Sequence, residues 1–341
     1  MYKGAIIGFG KIARTNHLEA YKSSELKEIA QITAVVEPNE LNLEKSKEEF
    51  PELRFYSAIE KLFENEKVDF VDITAPPNQH YEILEKCISK NVHIVCEKPF
   101  TIFPSEAEKI KKMLLGSDVV FIPCHQYKYS PVWQGFKNYI DMIEYRSKVL
   151  VQFNVFRTEA DPGLKQISHK WRTGTKDLGG GILADTGVHY LYLSSWMLGK
   201  IDRVSARLLN LGHEVFESED TAVIILEGER GIAQITLTWA ADKRFNSSSV
   251  ISSNSSMNYN GGTNLLINTN MGVQEVSVPD MSDKINYTSM YVSLLTDFLN
   301  AVKNNKRNDE WIEEAYQSVC LMNKCYTSSK EEKTIQTNNE K

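Results

Sequence analysis

The sequence predicts an α/β protein in two parts. A doubly wound parallel sheet comes first, followed by an α+β region with a large, mostly antiparallel sheet. Three observations lead there. The first third alternates short β-branched runs with amphipathic stretches, the pattern of consecutive βαβ units. A glycine-rich turn, Gly8-Phe9-Gly10-Lys11-Ile12-Ala13, follows directly on the first of those runs. From Lys148 onward β-branched runs recur with few helical stretches between them, which suits an antiparallel sheet covered on one face.

Residues 3–8 read as a strand and 14–23 as an amphipathic helix. The next strand, 29–37, ends on the acidic Glu37. Helix 40–50, strand 54–56, helix 59–65, strand 70–74, helix 80–89 and strand 93–96 continue the alternation, and helix 105–115 and strand 119–123 complete it. Beyond, 149–157, 204–210, 221–227 and 232–240 read as strands, and 182–198, 291–303 and 308–328 as helices. The serine- and asparagine-rich stretch 245–270 reads as a long, mobile hairpin, and the polar tail from Ser329 as frayed. The expected division is 1–124, 125–328 and a tail, 329–341.

Composition narrows the function. A chain of 341 residues, 42% hydrophobic and 25% charged, has the balance of a soluble globular protein with material for two cores. Its formal net charge is -6 and no basic block interleaves with aromatics, which argues against nucleic acid. Cys87, Cys96, Cys124, Cys320 and Cys325 show no zinc-type spacing, so reduced thiols and no metal are expected. No signal peptide and no membrane-length apolar run is evident, so a cytoplasmic protein without a membrane partner is expected.

The glycine turn has specific mechanics. Gly8 permits the tight turn, Gly10 lets a pyrophosphate approach the backbone, and Ala13 is small enough for helix–strand packing. The helix beyond offers free N–H groups and partial positive charge to the phosphates. Glu37 stands 27 positions after Gly10, where a carboxylate accepts hydrogen bonds from adenosine ribose hydroxyls and repels a 2′-phosphate. NAD is therefore favoured over NADP.

Two further segments carry chemistry. Glu97-Lys98-Pro99 follows strand 93–96, at the sheet edge where ligands bind in such folds. Pro99 restricts Lys98 to an extended backbone and is a candidate cis residue. In Gly179-Gly-Gly-Ile-Leu-Ala-Asp-Thr-Gly-Val-His189, Asp185 and His189 are four residues apart. On a helix that spacing stacks carboxylate and imidazole one turn apart, where the carboxylate can orient the ring and raise its pKa. The preceding glycines let another backbone, a cofactor or a substrate come close. Taken singly, Lys98 reads as a surface lysine and the Asp–His pair as a surface pair.

Together these residues resemble the glucose–fructose oxidoreductase / inositol dehydrogenase (Gfo/Idh/MocA) family of nicotinamide-dependent sugar and cyclitol dehydrogenases. The turn Thr74-Ala75-Pro76-Pro77 with Asn78 and His80, the Trp171-Arg172 pair, and Tyr291…Asp297-Phe298…Glu314-Ala315…Ser318 add to the likeness. The resemblance implies a Rossmann domain and a catalytic trio of Lys98, Asp185 and His189. His189 is then the general acid/base, Asp185 orients it, and Lys98 stabilises the reacting oxygen. It implies cofactor contacts at Gly8, Phe9, Gly10, Lys11, Ile12, Glu37, Thr74, Ala75, Pro76, Asn78, His80, Glu97 and Lys98. It implies substrate contacts at Lys98, 125–128 (with Gln126, Tyr127 and Lys128), Trp171, Arg172, Asp185 and His189. Arg172 reads equally as a brace for the glycine-rich helix, and Trp171 equally as core.

The activity so implied is NAD-dependent oxidation of a secondary hydroxyl on a sugar, cyclitol or nucleotide-linked sugar, or reduction of the matching ketone. A homodimer or homotetramer through the second sheet is implied with it. An NAD-dependent glycosidase and a non-catalytic sugar or dinucleotide sensor are the alternatives on the same scaffold. The serine- and asparagine-rich stretch departs from the family's glycine-threonine-glycine turn and leaves the substrate open.

Overall fold

The computed structural model describes residues 1–160, 180–212, 217–281 and 283–337, and the chain divides into two compact units. Residues 1–126 and 287–316 belong to the first; the described residues of 127–160, 180–286 and 317–337 belong to the second. The helical stretch 287–316, which the sequence reading put in the second domain, is thus grouped with the first.

The first unit is built on six parallel strands: β1 (Tyr2–Ile7), β2 (Ala30–Val36), β3 (Arg54–Tyr56), β4 (Phe70–Ile73), β5 (His93–Cys96) and β6 (Phe121–Pro123). Their order is β3-β2-β1-β4-β5-β6. The order reverses between β1 and β4, so loops leaving those strands diverge and open a crevice at their carboxyl ends. Helices α1 (Leu18–Tyr21), α2 (Glu40–Glu49), α3 (Ile59–Asn65), α4 (His80–Ser89) and α5 (Pro104–Leu115) connect the strands. Phe70, Val71, Ile73, Ile94 and Val95 are fully buried, as a parallel sheet covered on both faces demands.

One expectation here needs adjustment. The stretch 14–23 does not start as an α-helix: Ala13–His17 forms a π-helical turn, in which the Leu18 N–H donates to the Ala13 carbonyl before α1 begins. The extra residue in the turn is accommodated with Ala13, Asn16 and His17 all buried.

The second unit carries a nine-stranded sheet formed by β7 (Val149–Phe156), β8 (Ile201–Leu209), β9 (Thr221–Gly228), β10 (Gly231–Thr238), β11 (Phe245–Ile251), β12 (Ser255–Tyr259), β13 (Asn264–Thr269), β14 (Gly272–Ser277) and β15 (Ile335–Gln336). The order is β14-β13-β12-β11-β7-β10-β9-β8-β15. Every pairing is antiparallel except that of β7 with β10. Helix α6 (Pro131–Met142), a second π-helical turn (Leu183–Gly187) and α7 (Val188–Leu198) supply Trp133, Phe136, Leu183, Leu191 and Met197 to the core, with Phe153, Ile235 and Leu237 from the sheet. Val223, Ile225, Ile232 and Ile251 are exposed. Helices α8 (Lys284–Lys303) and α9 (Asp309–Glu331) close the chain.

Three details differ from the sequence reading. The stretch 245–270 is not one mobile hairpin but most of a four-strand meander, β11 to β14. Its buried positions, Ser248, Val250, Met257, Tyr259 and Leu265, are scattered among serines and asparagines that blur the period of two. The tail is not frayed from Ser329. Helix α9 runs to Glu331, Ile335 and Gln336 pair with Val204 and Arg203, and the Thr337 N–H donates to the Asp202 carbonyl. Helix α6 was not anticipated, although its start is marked by Ser130, whose hydroxyl accepts the Val132 N–H, and by Pro131 in the first turn.

The glycines before Asp185 serve the protein itself. A Cβ on Gly180 would lie 1.6 Å from the Tyr326 hydroxyl oxygen, and one on Gly181 would lie 1.9 Å from the Glu219 carbonyl oxygen. Glu219 Oε1 accepts from the N–H groups of Gly181 (3.0 Å) and Leu183 (3.1 Å) and from the Tyr326 hydroxyl (2.9 Å). These glycines therefore let a buried carboxylate cap the start of the π-helical turn. Gly181→Ala is expected to lower unfolding free energy by about 1–3 kcal/mol through overpacking against backbone; unchanged chemical denaturation would contradict this account.

Candidate active site

At the switch point of the first unit, the loops after β1 and β4 touch. Gly8 has φ +89°, and a Cβ there would lie 2.6 Å from Ala75 Cα. The Thr74 hydroxyl donates to the Gly8 carbonyl at 2.6 Å and the Thr74 N–H to the Ile7 carbonyl at 2.9 Å. Only glycine combines that backbone with that contact. Gly10 is the opposite case: a Cβ would meet nothing within 4 Å. The protein locks Gly8 and leaves the backbone at Gly10 clear, the kind of space a glycine-rich dinucleotide loop keeps beside its strand.

Glu37, just past β2, is buried. Its Oε2 accepts from the Phe9 N–H (3.1 Å) and from Asn42 Nδ2 (2.6 Å), and its Oε1 accepts from the Asn39 N–H (2.9 Å). Asn42 Oδ1 in turn accepts from Arg14 (2.8 Å), which also donates to the Phe9 carbonyl (3.1 Å). Asn42 and Arg14 were not singled out from sequence; their contacts depend on how α2 docks beside the glycine loop. The Phe9 side chain is buried edge-on to Phe50 and Phe55, so its backbone rather than its ring faces the loop. Lys11 and Asn78 are exposed, Ile12 and Pro76 half-buried, and Ala75 buried.

His80 is a strut. It is fully buried, with Nδ1 3.0 Å from the Pro99 carbonyl oxygen and Nε2 2.8 Å from that of Ala75. Burial pushes its pKa down, against the pull of those carbonyls. It thereby ties the loop after β4 to the one after β5. The Lys98–Pro99 peptide bond is cis, and Lys98 is half-buried.

Beneath Lys98 lies a charged cluster invisible to motif reading. His17 Nδ1 is 2.8 Å from Asp72 Oδ2 and Nε2 is 3.0 Å from Glu97 Oε1. Burial alone would depress the His17 pKa, but Asp72 and Glu97 outweigh it and push it up to about 10. Burial alone would raise the Glu97 carboxyl, yet His17 and Lys98 hold it below the usual range. Gln126, expected to face substrate, is buried, with Nε2 donating to the hydroxyls of Tyr291 (3.1 Å) and Tyr287 (3.2 Å).

In the second unit His189 is buried. Its Nδ1 is 2.9 Å from the Tyr192 hydroxyl, which also accepts the Tyr127 N–H at 3.2 Å. The Tyr127 ring stacks on the imidazole at 4.2 Å between centroids and 12° between planes. Asp185 is half-buried within the π-helical turn that ends just before α7. Tyr192 and Tyr127 were missed as shapers of the His189 environment, although Tyr192 lies one α-helical turn beyond it. Lys128 and Trp196 are half-buried, with the ammonium 5.5 Å from the indole. Trp171 and Arg172 lie outside the described residues.

This geometry fits an α/β protein of the dinucleotide-binding class. Residues 2–125 match the oxidoreductase family model with an NAD-binding Rossmann fold, and 142–257 match the Gfo/Idh/MocA C-terminal domain. The chain belongs to the Gfo/Idh/MocA family. It is 23% identical over 244 residues to D-apiose dehydrogenase of Paraburkholderia graminis, covering 69% of this chain and 59% of that one. It is 25% identical over 235 residues to D-apiose dehydrogenase of Rhizobium rhizogenes, covering 68% and 64%. The chain thus spans about six-tenths of the length of those two relatives. With scyllo-inositol 2-dehydrogenase (NADP(+)) of Bacillus subtilis it shares 25% identity over 170 residues, covering 49% and 45%.

Among solved structures, an oxidoreductase from Agrobacterium radiobacter in complex with NAD+, L-tartaric acid and magnesium superposes with TM-score 0.85 at 18% identity, covering 98% of both chains. Levoglucosan dehydrogenase with NADH gives TM-score 0.85 at 17% identity, covering 99% of this chain and 100% of that one. At these identities the likeness is one of fold. No helix among the described residues is long and apolar enough to cross a membrane.

The His17 pairing has a pH signature. Its folded-state pKa of about 10 exceeds the unfolded value of about 6.5. The stabilisation is therefore fully present below the unfolded value and is lost as pH rises through the folded one. The unfolding free energy of the parent minus that of His17→Gln, measured by denaturant titration, is expected to shrink steadily from pH 6.5 to 10. A constant or growing difference would refute the imidazolium assignment.

Proposed function

We propose that the protein is an NAD-dependent dehydrogenase that oxidises a secondary hydroxyl of a sugar, cyclitol or sugar derivative, or reduces the corresponding ketone. The observation that carries this reading is the cleared backbone at Gly10 in a crevice where Lys98 leaves the carboxyl end of β5. Family membership and the named sugar and cyclitol dehydrogenases among its relatives support it.

When bound, the nicotinamide accepts a hydride from the substrate carbon in oxidation and donates it in reduction. The chain's own residues manage the proton and the oxygen. His189, held at Nδ1 by the Tyr192 hydroxyl, takes the hydroxyl proton at Nε2 as general base. The Tyr127 ring stacked on it fixes the imidazole plane. Asp185 orients the imidazole, and the Lys98 ammonium hydrogen-bonds the reacting oxygen and stabilises the negative charge that develops there. Gly8 to Ile12, Thr74 to Pro76, Asn78 and Glu97 surround the cofactor, with His80 holding their loops together. Glu37, pre-aimed by Phe9, Asn39 and Asn42, receives the adenosine ribose hydroxyls. Tyr127, Lys128, Trp171 and Arg172 meet the substrate, and Gln126 is held by Tyr287 and Tyr291.

Exposed Val223, Ile225, Ile232 and Ile251 on the second sheet favour burial against a second copy of the chain, hence a homodimer or homotetramer. Five buried cysteines with no disulfide among them favour the cytoplasm.

A panel of polyols, free sugars, sugar phosphates and nucleotide sugars, followed by NADH absorbance with NAD and NADP, tests the activity directly; no turnover with any of them opposes the reading. Lys98→Ala and His189→Ala are each expected to lower turnover by about a hundredfold or more while NADH stays bound. Parental turnover in either variant removes that residue from its role. Glu37→Ser is expected to narrow the ratio of NADPH to NADH dissociation constants by about tenfold or more. Equal affinity for both in the parent would overturn the role given to Glu37.

A further inference from the structure

The first unit holds a buried imidazole that the proposed reaction does not use. His17 is fully buried in the π-helical turn Ala13–His17, between a carboxylate on β4 and one just past β5. On one side Asp72 Oδ2 takes Nδ1 at 2.8 Å and the Tyr21 hydroxyl at 3.0 Å. On the other, Glu97 Oε1 takes Nε2 at 3.0 Å and the Tyr291 hydroxyl at 3.1 Å. The Tyr291 ring also packs on the imidazole, 4.6 Å between centroids. The second oxygen of Glu97 is what matters: Oε2 accepts the backbone N–H of Lys98 at 3.1 Å. A continuous chain of contacts therefore runs from β4 through the imidazole to the amide that carries the proposed catalytic lysine.

A metal centre is the competing use of these groups. Ligand atoms of His17, Glu97 and Cys124 lie within 4.8 Å of one another. The donor set does not suit one. Both ring nitrogens already face carboxylates, and burial pushes the Cys124 thiol well above its ordinary range, which leaves neither a spare nitrogen nor a thiolate. The arrangement is a clamp. Glu97 would otherwise be a buried carboxylate free to rotate about its side-chain bonds, carrying its bond to Lys98 with it. With Oε1 pinned by two donors, the carboxylate has one orientation in which Oε2 meets the Lys98 amide.

Resting on the role given to Lys98 above, we propose that His17 is a positioning residue for Lys98: by gripping Glu97 against Asp72 it fixes the backbone from which the lysine reaches the reacting oxygen. The charged and titratable groups around it are Asp72 on β4, Tyr21 on α1, Cys124 and Glu97 at the ends of β6 and β5, and Tyr291 on α8. Lys98 is a second cation acting on Glu97, but it is His17 that bonds both carboxylates, so its loss leaves them facing each other across its vacated place.

The test separates positioning from simple charge balance. His17→Gln alone removes the clamp and the cation together, and both stability and turnover are expected to fall. His17→Gln with Asp72→Asn removes one charge of each sign and takes the imidazole from Glu97 Oε1, leaving the Tyr291 hydroxyl there. The double variant is expected to regain most of the thermal midpoint and to bind NADH within about threefold of the parent. Its Lys98 amide should nonetheless exchange at least about tenfold faster, while amides of β1 and β4 keep their protection. Turnover on a panel substrate should stay about tenfold or more below the parent with KM little changed. Parental exchange at Lys98 in the double variant would overturn the proposal.

Should the double variant not fold, nitrogen NMR of the parent decides. Two protonated ring nitrogens on His17 at pH 8 support the clamp, and a neutral ring overturns it. The Lys98 reading fails separately: parental turnover in Lys98→Ala would sink it while leaving the exchange result intact.

Discussion

Two carboxylates, Asp72 on β4 and Glu97 just past β5, stand side by side at the carboxyl end of the parallel sheet, and one imidazole lies between them. Withdrawing each carboxylate from water costs several kcal/mol, recovered only if a cation and further donors meet it at close range. His17 meets both at once, and the hydroxyls of Tyr21 and Tyr291 supply the further donors. The constraint reaches outward in three directions. It ties the turn after the glycine loop to β4 and β5. It draws α8, through Tyr291, into the same network. It also sets the carboxylate that receives the Lys98 amide. An α-helical start at Ala13 would carry one residue fewer per turn; the π-helical turn takes up the extra residue with the imidazole buried.

The second unit repeats that device with a different outcome. Another π-helical turn, Leu183–Gly187, follows another glycine-rich segment, and a buried histidine stands two residues beyond it. There the imidazole meets a tyrosine hydroxyl and the face of a tyrosine ring. The same side chain is therefore built into two environments: a sealed ion cluster in which it serves as a cation, and an aromatic pocket in which it is held by a hydroxyl at one nitrogen. A proton-transfer role suits the second. The first environment stabilises the charged form, its two carboxylates outweighing burial to push the pKa up to about 10.

Glycine also has more than one meaning in this chain. Gly8 and Gly181 are required by the protein's own backbone, at Ala75 and Glu219 respectively, and Gly180 by the Tyr326 hydroxyl. Gly10 faces open space and serves whatever lies against it. Glu219 caps the start of the second π-helical turn from a strand-preceding segment far along the chain. No local pattern in the sequence announces that cap.

Much of the scaffold was legible in the linear chain. The alternation of β-branched runs and amphipathic stretches fixed the six parallel strands to within a few residues, because burial on both faces leaves continuous apolar runs. The placement of the glycine turn after β1, of Glu37 just past β2 and of Lys98 just past β5 was legible, because each follows directly on a strand that the sequence marks. The meander from β11 to β14 was not, since small polar residues blurred its alternation. Neither was the cluster of His17, Asp72, Glu97 and Tyr291, whose members come from opposite ends of the chain. Local sequence determined which segments are strands, helices and turns, because propensity and periodicity act over a few residues. Tertiary packing alone decided which carboxylates lose water and which histidine becomes a cation, because desolvation and Coulomb energies depend on distances through space.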